Sequence, residues 1–209
     1  MARKQLGLSG AAALLLCAGC AADQMLDGKV EAAGLRLDES RTMLMRPRKP
    51  FPARLVIPEG VKAINKEVFR SFPKLESAAM PDSIESIGDY VFAQCRKLKK
   101  VRFSSSLKHT GNFTFFNCSA LEEVILPPNL EKIGYSAFEG CGNLKTITIP
   151  ETVNVIDDYA FANCASLEAI VIPANVKYIA YRAFKGCTNL KKVKILNKNI
   201  VLGSEVFDK

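Results

Sequence analysis

The sequence predicts a solenoid of about seven 23-residue coils, mainly β, with short parallel strands joined by short helical or irregular turns. Three observations lead there. A shift of 23 residues lays the chain on itself, and Phe recurs without a missed copy at 69, 92, 115, 138, 161, 184 and 207. Other columns keep the same phase: Leu at 75, 98, 121, 144, 167 and 190, and Cys at 95, 118, 141, 164 and 187, with Phe72 in the Cys place of the first copy. Within a copy, apolar and polar residues alternate up to a Pro, which is the period of a half-buried strand.

One copy is enough to justify the elements in order. Leu144-Lys145-Thr146-Ile147-Thr148-Ile149-Pro150 reads as an alternating strand of about six residues, closed by a Pro that cannot continue a ladder. Val153 to Ile156 is a second short run, in line with Ile64, Ile87, Ile133, Ile179 and Leu202, with Thr110 the exception. Gly88, Gly111, Gly134 and Gly203 follow that run and suit a turn needing positive φ. Ala160-Phe161-Ala162-Asn163-Cys164 then returns to the next Leu. A single copy cannot bury its inward side chains, so stacked neighbours must supply the missing surface. At about 4.8 Å per coil, seven coils make a spine of roughly 30 Å.

The N-terminal region reads differently. Arg3 and Lys4, an apolar run from Leu6 to Ala18 and small residues before Cys20 have the layout of an export signal over residues 1–19. Leu16-Cys17-Ala18-Gly19-Cys20 resembles a bacterial lipobox, with Cys17 where that motif usually has Leu, and the resemblance implies that Cys20 is lipidated. Ordinary cleavage nearby is the alternative. Residues 20–54 carry no repeat and end in Arg46-Pro47-Arg48-Lys49-Pro50-Phe51-Pro52, as either a lipid-anchored tether or an N-terminal cap on the first coil. The solenoid then occupies 55–209. Its last copy departs from the pattern between Leu196 and Leu202, so the thin C-terminal coil is expected to pair with another copy or a partner.

The repeat L-x-x-[VI]-x-I-P-x-x-[VIL]-x-x-I-G-x-x-[AV]-F-x-x-C-x-x-L resembles the 23-residue leucine-rich repeat of BspA-like, treponemal-class surface proteins, over about residues 55 to 209. That resemblance implies a right-handed leucine-rich-repeat solenoid on an exported bacterial protein, often a lipoprotein, with members implicated in adhesion to host matrix proteins. The extra sandwich domains and long repeat arrays of many relatives are not in this sequence.

Catalytic signals are missing from the pattern. Identical Cys places on successive coils form a straight column, whereas tetrahedral zinc needs ligands converging on one point, so no metal is expected and the thiols are read as buried and free, with one or two disulfides as the alternative in an exported protein. His109 has no nucleophile-elbow motif beside it, and no phosphate-cradling Gly loop, HExxH or dinucleotide fingerprint occurs. The sequence therefore predicts neither an enzyme nor a cofactor.

The 209 residues hold 29 Lys+Arg against 21 Asp+Glu; without Arg3 and Lys4 the balance is 27 to 21, a net +6. Part of that charge is arranged in rows of alternating sign, Glu76, Lys99, Glu122, Lys145, Glu168 and Lys191 in one, and Lys62, Glu85, Lys108 and Glu131 in another. Such rows set opposite charges on adjacent coils. Arg96, Lys97, Lys100 and Lys192 remain as a candidate basic patch, suited to an acidic protein, acidic glycan or anionic lipid. Nucleic acid is disfavoured because no aromatic residues interleave with the charges. Outward strand positions place Val56, Ala79, Arg102, Ile125, Thr148, Val171 and Lys194 in one row, an apolar strip with bases toward both ends and the candidate partner-binding face. The expected function is a non-enzymatic, macromolecule-binding envelope lipoprotein at the outer surface or in the periplasm. Its partner would be a protein, including host matrix, and the alternative is a periplasmic scaffold.

Overall fold

The structure, a computed structural model, describes residues 34–47 and 52–208. In chain order its strands are β1 Arg36–Leu37, β2 Met43–Met45, β3 Arg54–Val56, β4 Ala63–Ile64, β5 Ser77–Ala79, β6 Ser86–Ile87, β7 Lys100–Arg102, β8 Glu123–Ile125, β9 Lys132–Ile133, β10 Val155–Ile156, β11 Ala169–Ile172, β12 Tyr178–Ile179, β13 Lys192–Ile195 and β14 Val201–Leu202. No helix occurs among the described residues, so the return segment is an irregular turn. The export signal, Cys20 and residues 21–33 lie outside the described residues.

Most coils contribute one strand to the front and one to the back, and both faces grow by parallel pairing of successive coils. The front order is β3-β5-β7-β8 and then β11-β13; the back order is β4-β6 and then β9-β10-β12-β14. Register steps by one repeat, as in Arg54↔Ser77, Ser77↔Lys100 and Lys100↔Glu123, so equivalent side chains form straight rows. At the N-terminal end, β2 pairs in parallel with β4, and β1 folds back antiparallel on β2.

The strands have two to four residues, shorter than the sequence pattern suggests. The alternation of inward and outward side chains outlasts the ladder: Ile147 and Ile149 are buried on either side of exposed Thr148, although Thr146–Ile149 form no backbone hydrogen bond with a neighbouring coil. Only Lys145, at the start of that run, still accepts from the Glu168 N–H, at 3.1 Å. The back sheet is interrupted where Thr110 replaces Ile, leaving a single bridge from His109 to Lys132. That coil compensates with side-chain bonds: Gly134 N–H donates to Thr110 Oγ1 at 2.9 Å, Ser104 Oγ to the Ile84 carbonyl at 2.6 Å and Thr114 Oγ1 to the Thr110 carbonyl at 2.6 Å. These bonds allow Ser104, Thr110 and Thr114 to be buried.

The third side is a ladder without β geometry. The N–H groups of Phe92, Phe115, Phe138 and Phe161 each donate, at 2.8–2.9 Å, to a carbonyl of the following coil. Positive φ recurs there on residues with side chains, at Glu67, Tyr90, Phe113, Ser136, Tyr159, Arg182 and Glu205. The expectation for the repeat glycines is corrected accordingly, because only Gly111 of the four has positive φ. The others answer to close packing between coils. A Cβ on Gly134 would come within 2.4 Å of the Gly111 carbonyl oxygen, and one on Gly88 within 2.5 Å of the Lys66 nitrogen.

One core runs the length of the spine. The Phe rings stack in a column from Phe69 to Phe207 at centroid spacings of 5.2–5.5 Å and interplanar angles of 1–18°. Their spacing follows the coil pitch, so each ring fills the gap its neighbour leaves.

Candidate binding face

The outward positions of the front strands are fixed by the alternation of each strand, so Val56, Ala79, Arg102 and Ile125 pair in one line and Val171 and Lys194 in another, with exposed Thr148 outside any strand between them. Val56, Ile125 and Val171 are 68, 57 and 50% exposed, unusually bare for large apolar side chains, and each lies on the end strand of its sheet. A parallel row, Arg54, Ser77, Lys100, Glu123, Thr146, Ala169 and Lys192, lies beside it. The face is not flat. Small Ser77 and Ala79 on β5 leave a depression of about 270 Å³ whose lining includes Arg54, Val56, Lys100, Arg102 and Ile125, and a second of about 260 Å³ lies between Thr148 and Val171.

The basic patch residues do not form one cluster. Arg96 and Lys97 are exposed in the turn before Leu98, Lys100 starts β7, and Lys192 lies four coils further on, about 19 Å away by strand spacing. Lys100 binds Glu123 at 2.8 Å, and that hydrogen bond raises the Lys100 pKa. Arg102 is 3.9 Å from Asp82, whose pKa is lowered chiefly by the Ser105 backbone N–H that it accepts at 2.9 Å. Of the two alternating rows, the one through Lys62 pairs as Lys62–Glu85 at 2.7 Å and Lys108–Glu131 at 2.9 Å. The row through Glu76 forms no ion pair among the described residues.

The cysteine column carries free, buried thiols. Each donates its S–H to the carbonyl of a Phe one coil back, from Cys95 to Phe69 at 3.0 Å through Cys187 to Phe161 at 3.1 Å. Burial pushes the Cys95 pKa up to about 11 and raises those of Cys118, Cys141 and Cys164, which removes the thiolate that nucleophilic or metal chemistry needs. No group of His, Cys, Asp and Glu among the described residues is placed to hold a metal ion, and His109 is exposed.

Two features escaped the sequence reading. A half-buried aromatic ladder, Tyr90, Phe113, Tyr135, Tyr159 and Tyr181, lines the turn side at ring spacings of 4.4–5.9 Å. Its steps of 23, 22, 24 and 22 residues blur the strict period that revealed the other columns. Arg46 caps the first coil, donating to the carbonyls of Glu67 at 2.9 Å and Arg70 at 3.2 Å with its guanidinium 5.5 Å from the Phe72 ring. A lone Arg in a Pro-rich run gave no sign of that role.

Geometry and periodicity meet in one comparison: the BspA type leucine rich repeat region matches residues 53–168 and 154–209, in six copies. The chain belongs to the BspA-type leucine-rich repeat family. Among solved structures, this BspA-type chain is similar to the Treponema pallidum leucine-rich repeat protein, at 27% identity and a TM-score of 0.77, over 83% of this chain and 84% of that one. It is also similar to a leucine-rich repeat protein of Bacteroides ovatus, at 28% identity and TM-score 0.65, over 84% of this chain and 55% of that one. A third, titled a leucine rich cell surface protein, is from Faecalibacterium prausnitzii, at 31% identity and TM-score 0.55, over 78% of this chain and 38% of that one. No curated protein matches the chain. Repeat architecture of this kind is an interaction scaffold, since its pattern is spent on stacking and its outward positions are free to vary.

Proposed function

We propose that the protein is a bacterial envelope lipoprotein, anchored through Cys20, whose front sheet binds another protein at the cell surface, adhesion to host matrix included. The observation that carries the reading is the exposure of Val56, Ile125 and Val171 on one face of the stacked coils. A solvated row gains nothing from large aliphatic side chains, and a partner that covers them gains about 25 cal/mol for each Å² of apolar area removed from water. Surface location is supported by similarity to the leucine rich cell surface protein of Faecalibacterium prausnitzii and by the lipobox resemblance at Cys20. Two acyl chains hold a body this size on a membrane without a spanning helix.

The test is capture of partners by crosslinking on intact cells, comparing the native protein with the Ile125→Glu, Val171→Glu variant. The variant is expected to lose its crosslinked partners while its circular dichroism stays unchanged, because both side chains point to solvent. Unaltered crosslinking would remove the front face from consideration. Protease digestion of the native protein on intact cells, with a Cys20→Ala control, reads location independently; protection until lysis would exclude the surface.

A further inference from the structure

The depression over β5 has a character that the rest of the front face lacks. Its floor is Ser77 and Ala79, the two small outward residues of one strand, and its walls are the long cations of the strands on either side, Arg54 on β3 and Lys100 and Arg102 on β7. Aliphatic Val56 and Ile125 flank it on the same row as Ala79. Three positive charges therefore surround a cleft with one carboxylate among its lining residues, Glu123, and that carboxylate is engaged by Lys100 at 2.8 Å.

The other two cations are held less closely than Lys100. Arg54 has no ion pair or hydrogen bond from its side chain among the described residues. Arg102 meets Asp82 only at 3.9 Å, beyond hydrogen-bond reach, and Asp82 is already occupied by the Ser105 N–H. Two guanidinium groups whose side chains make no hydrogen bond among the described residues, two coils apart, lie on opposite sides of a dent that a side chain can enter. Arg presents its donors in a planar fork that matches a carboxylate, and such pairs are shorter and about twice as strong as neutral hydrogen bonds.

We propose that this depression takes the carboxylate side chain of an extended acidic peptide segment of a protein partner, held between Arg54 and Arg102, with an aliphatic side chain two residues away resting on Val56 or Ile125. The inference rests on the reading of the front sheet as a protein-binding face and assigns the chemistry of its ligand. A strand places alternate side chains on one face about 6.6 Å apart, and the Arg54 and Val56 rows are themselves two residues apart along their strands, so charge and apolar contact come in the same period. A peptide fits better than a glycan because the lining has aliphatic walls and no aromatic ring to stack on a sugar.

The probe is a fluorescein-labelled peptide of alternating Glu and Leu, titrated with the full-length protein at low and high salt, beside the same peptide with Gln in place of Glu and a heparin-derived hexasaccharide. The Glu peptide is expected to bind at least tenfold more tightly than the Gln peptide, and less tightly as salt rises. The Arg54→Ala, Arg102→Ala protein and, separately, Ser77→Glu, which sets a carboxylate in the dent, are each expected to weaken it roughly tenfold. Lys177→Ala, exposed just before β12 and outside the front face, is the folded control and should leave binding unchanged. Equal affinity for Glu and Gln peptides, no binding, or full binding by the double Arg variant each overturns the proposal. Tight hexasaccharide binding lost with the same variants, in the absence of peptide binding, overturns it in favour of an acidic glycan. The crosslinking comparison with Ile125→Glu, Val171→Glu contains no acidic peptide, so the face reading survives or falls independently.

Discussion

At the scale of single residues, the cysteines show how a repeated position acquires a physical character. Each thiol is closed in by a neighbouring coil and donates its S–H to a backbone carbonyl, and burial raises the pKa of Cys95 to about 11 and pushes Cys118, Cys141 and Cys164 upward as well. A raised folded pKa adds stability that is fully present below the unfolded value near 9.0 and is lost as pH climbs toward the folded value, since only the unfolded chain ionises in that window. Stability to urea should therefore fall between about pH 9 and pH 11, and the Cys141→Ala protein should fall less steeply. The five column thiols of the native protein should also resist iodoacetamide at pH 8 until the chain is unfolded. Labelling of the folded protein at the rate of a free thiol would show that the column opens locally.

The individual elements are weak, and their weakness is uneven. Strands of two to four residues have little ladder of their own, so a coil is held by its neighbours on three sides. The segment Thr146–Ile149 lacks that support on the front: Ile147 and Ile149 stay buried, yet its N–H groups meet no carbonyl of an adjacent coil. β11, one coil on, is paired to β13 over four residues. Amide hydrogen exchange should separate them, with Thr146 to Thr148 exchanging roughly a hundredfold faster than Ile170 and Ile172. Equal protection would mean that the front sheet is continuous in solution.

This break marks a limit of what periodicity can reveal. The rows of Phe, Leu, Ile and Cys were legible because a buried column tolerates one kind of side chain, and the outward row followed from strand alternation alone. Nothing in Leu144 to Pro150 distinguishes it from its neighbours, and it was the copy taken to exemplify a strand. Strand length was overestimated for the same reason: alternation in burial persists past the residues that pair. The glycine positions were correctly spaced but wrongly explained, since spacing does not tell a turn from a close approach such as that of Gly134 to Gly111. The depression over β5 was hidden because Ser77 and Ala79 attract attention only once their long neighbours are seen on either side.

The whole molecule adds a direction to these parts. On the turn side, N–H groups donate to the following coil throughout, so carbonyls face the N-terminal end, where Arg46 covers those of Glu67 and Arg70. Stability then accumulates coil by coil through nearest-neighbour interfaces, and a residue is worth what its two neighbours make of it. Phe138 lies between Phe115 at 5.3 Å and Phe161 at 5.2 Å and is completely buried, whereas Phe207 touches Phe184 at 5.3 Å and is partly open. Phe138→Ala should cost about 3–5 kcal/mol in urea unfolding, because a cavity between two fixed rings cannot collapse without shifting both coils. Phe207→Ala, with one ring to lose and solvent already near, should cost half of that or less. If both substitutions cost the same, stability is pooled over the whole spine and the nearest-neighbour account fails; if Phe138→Ala alone splits the transition in two, the coils on either side unfold as separate blocks.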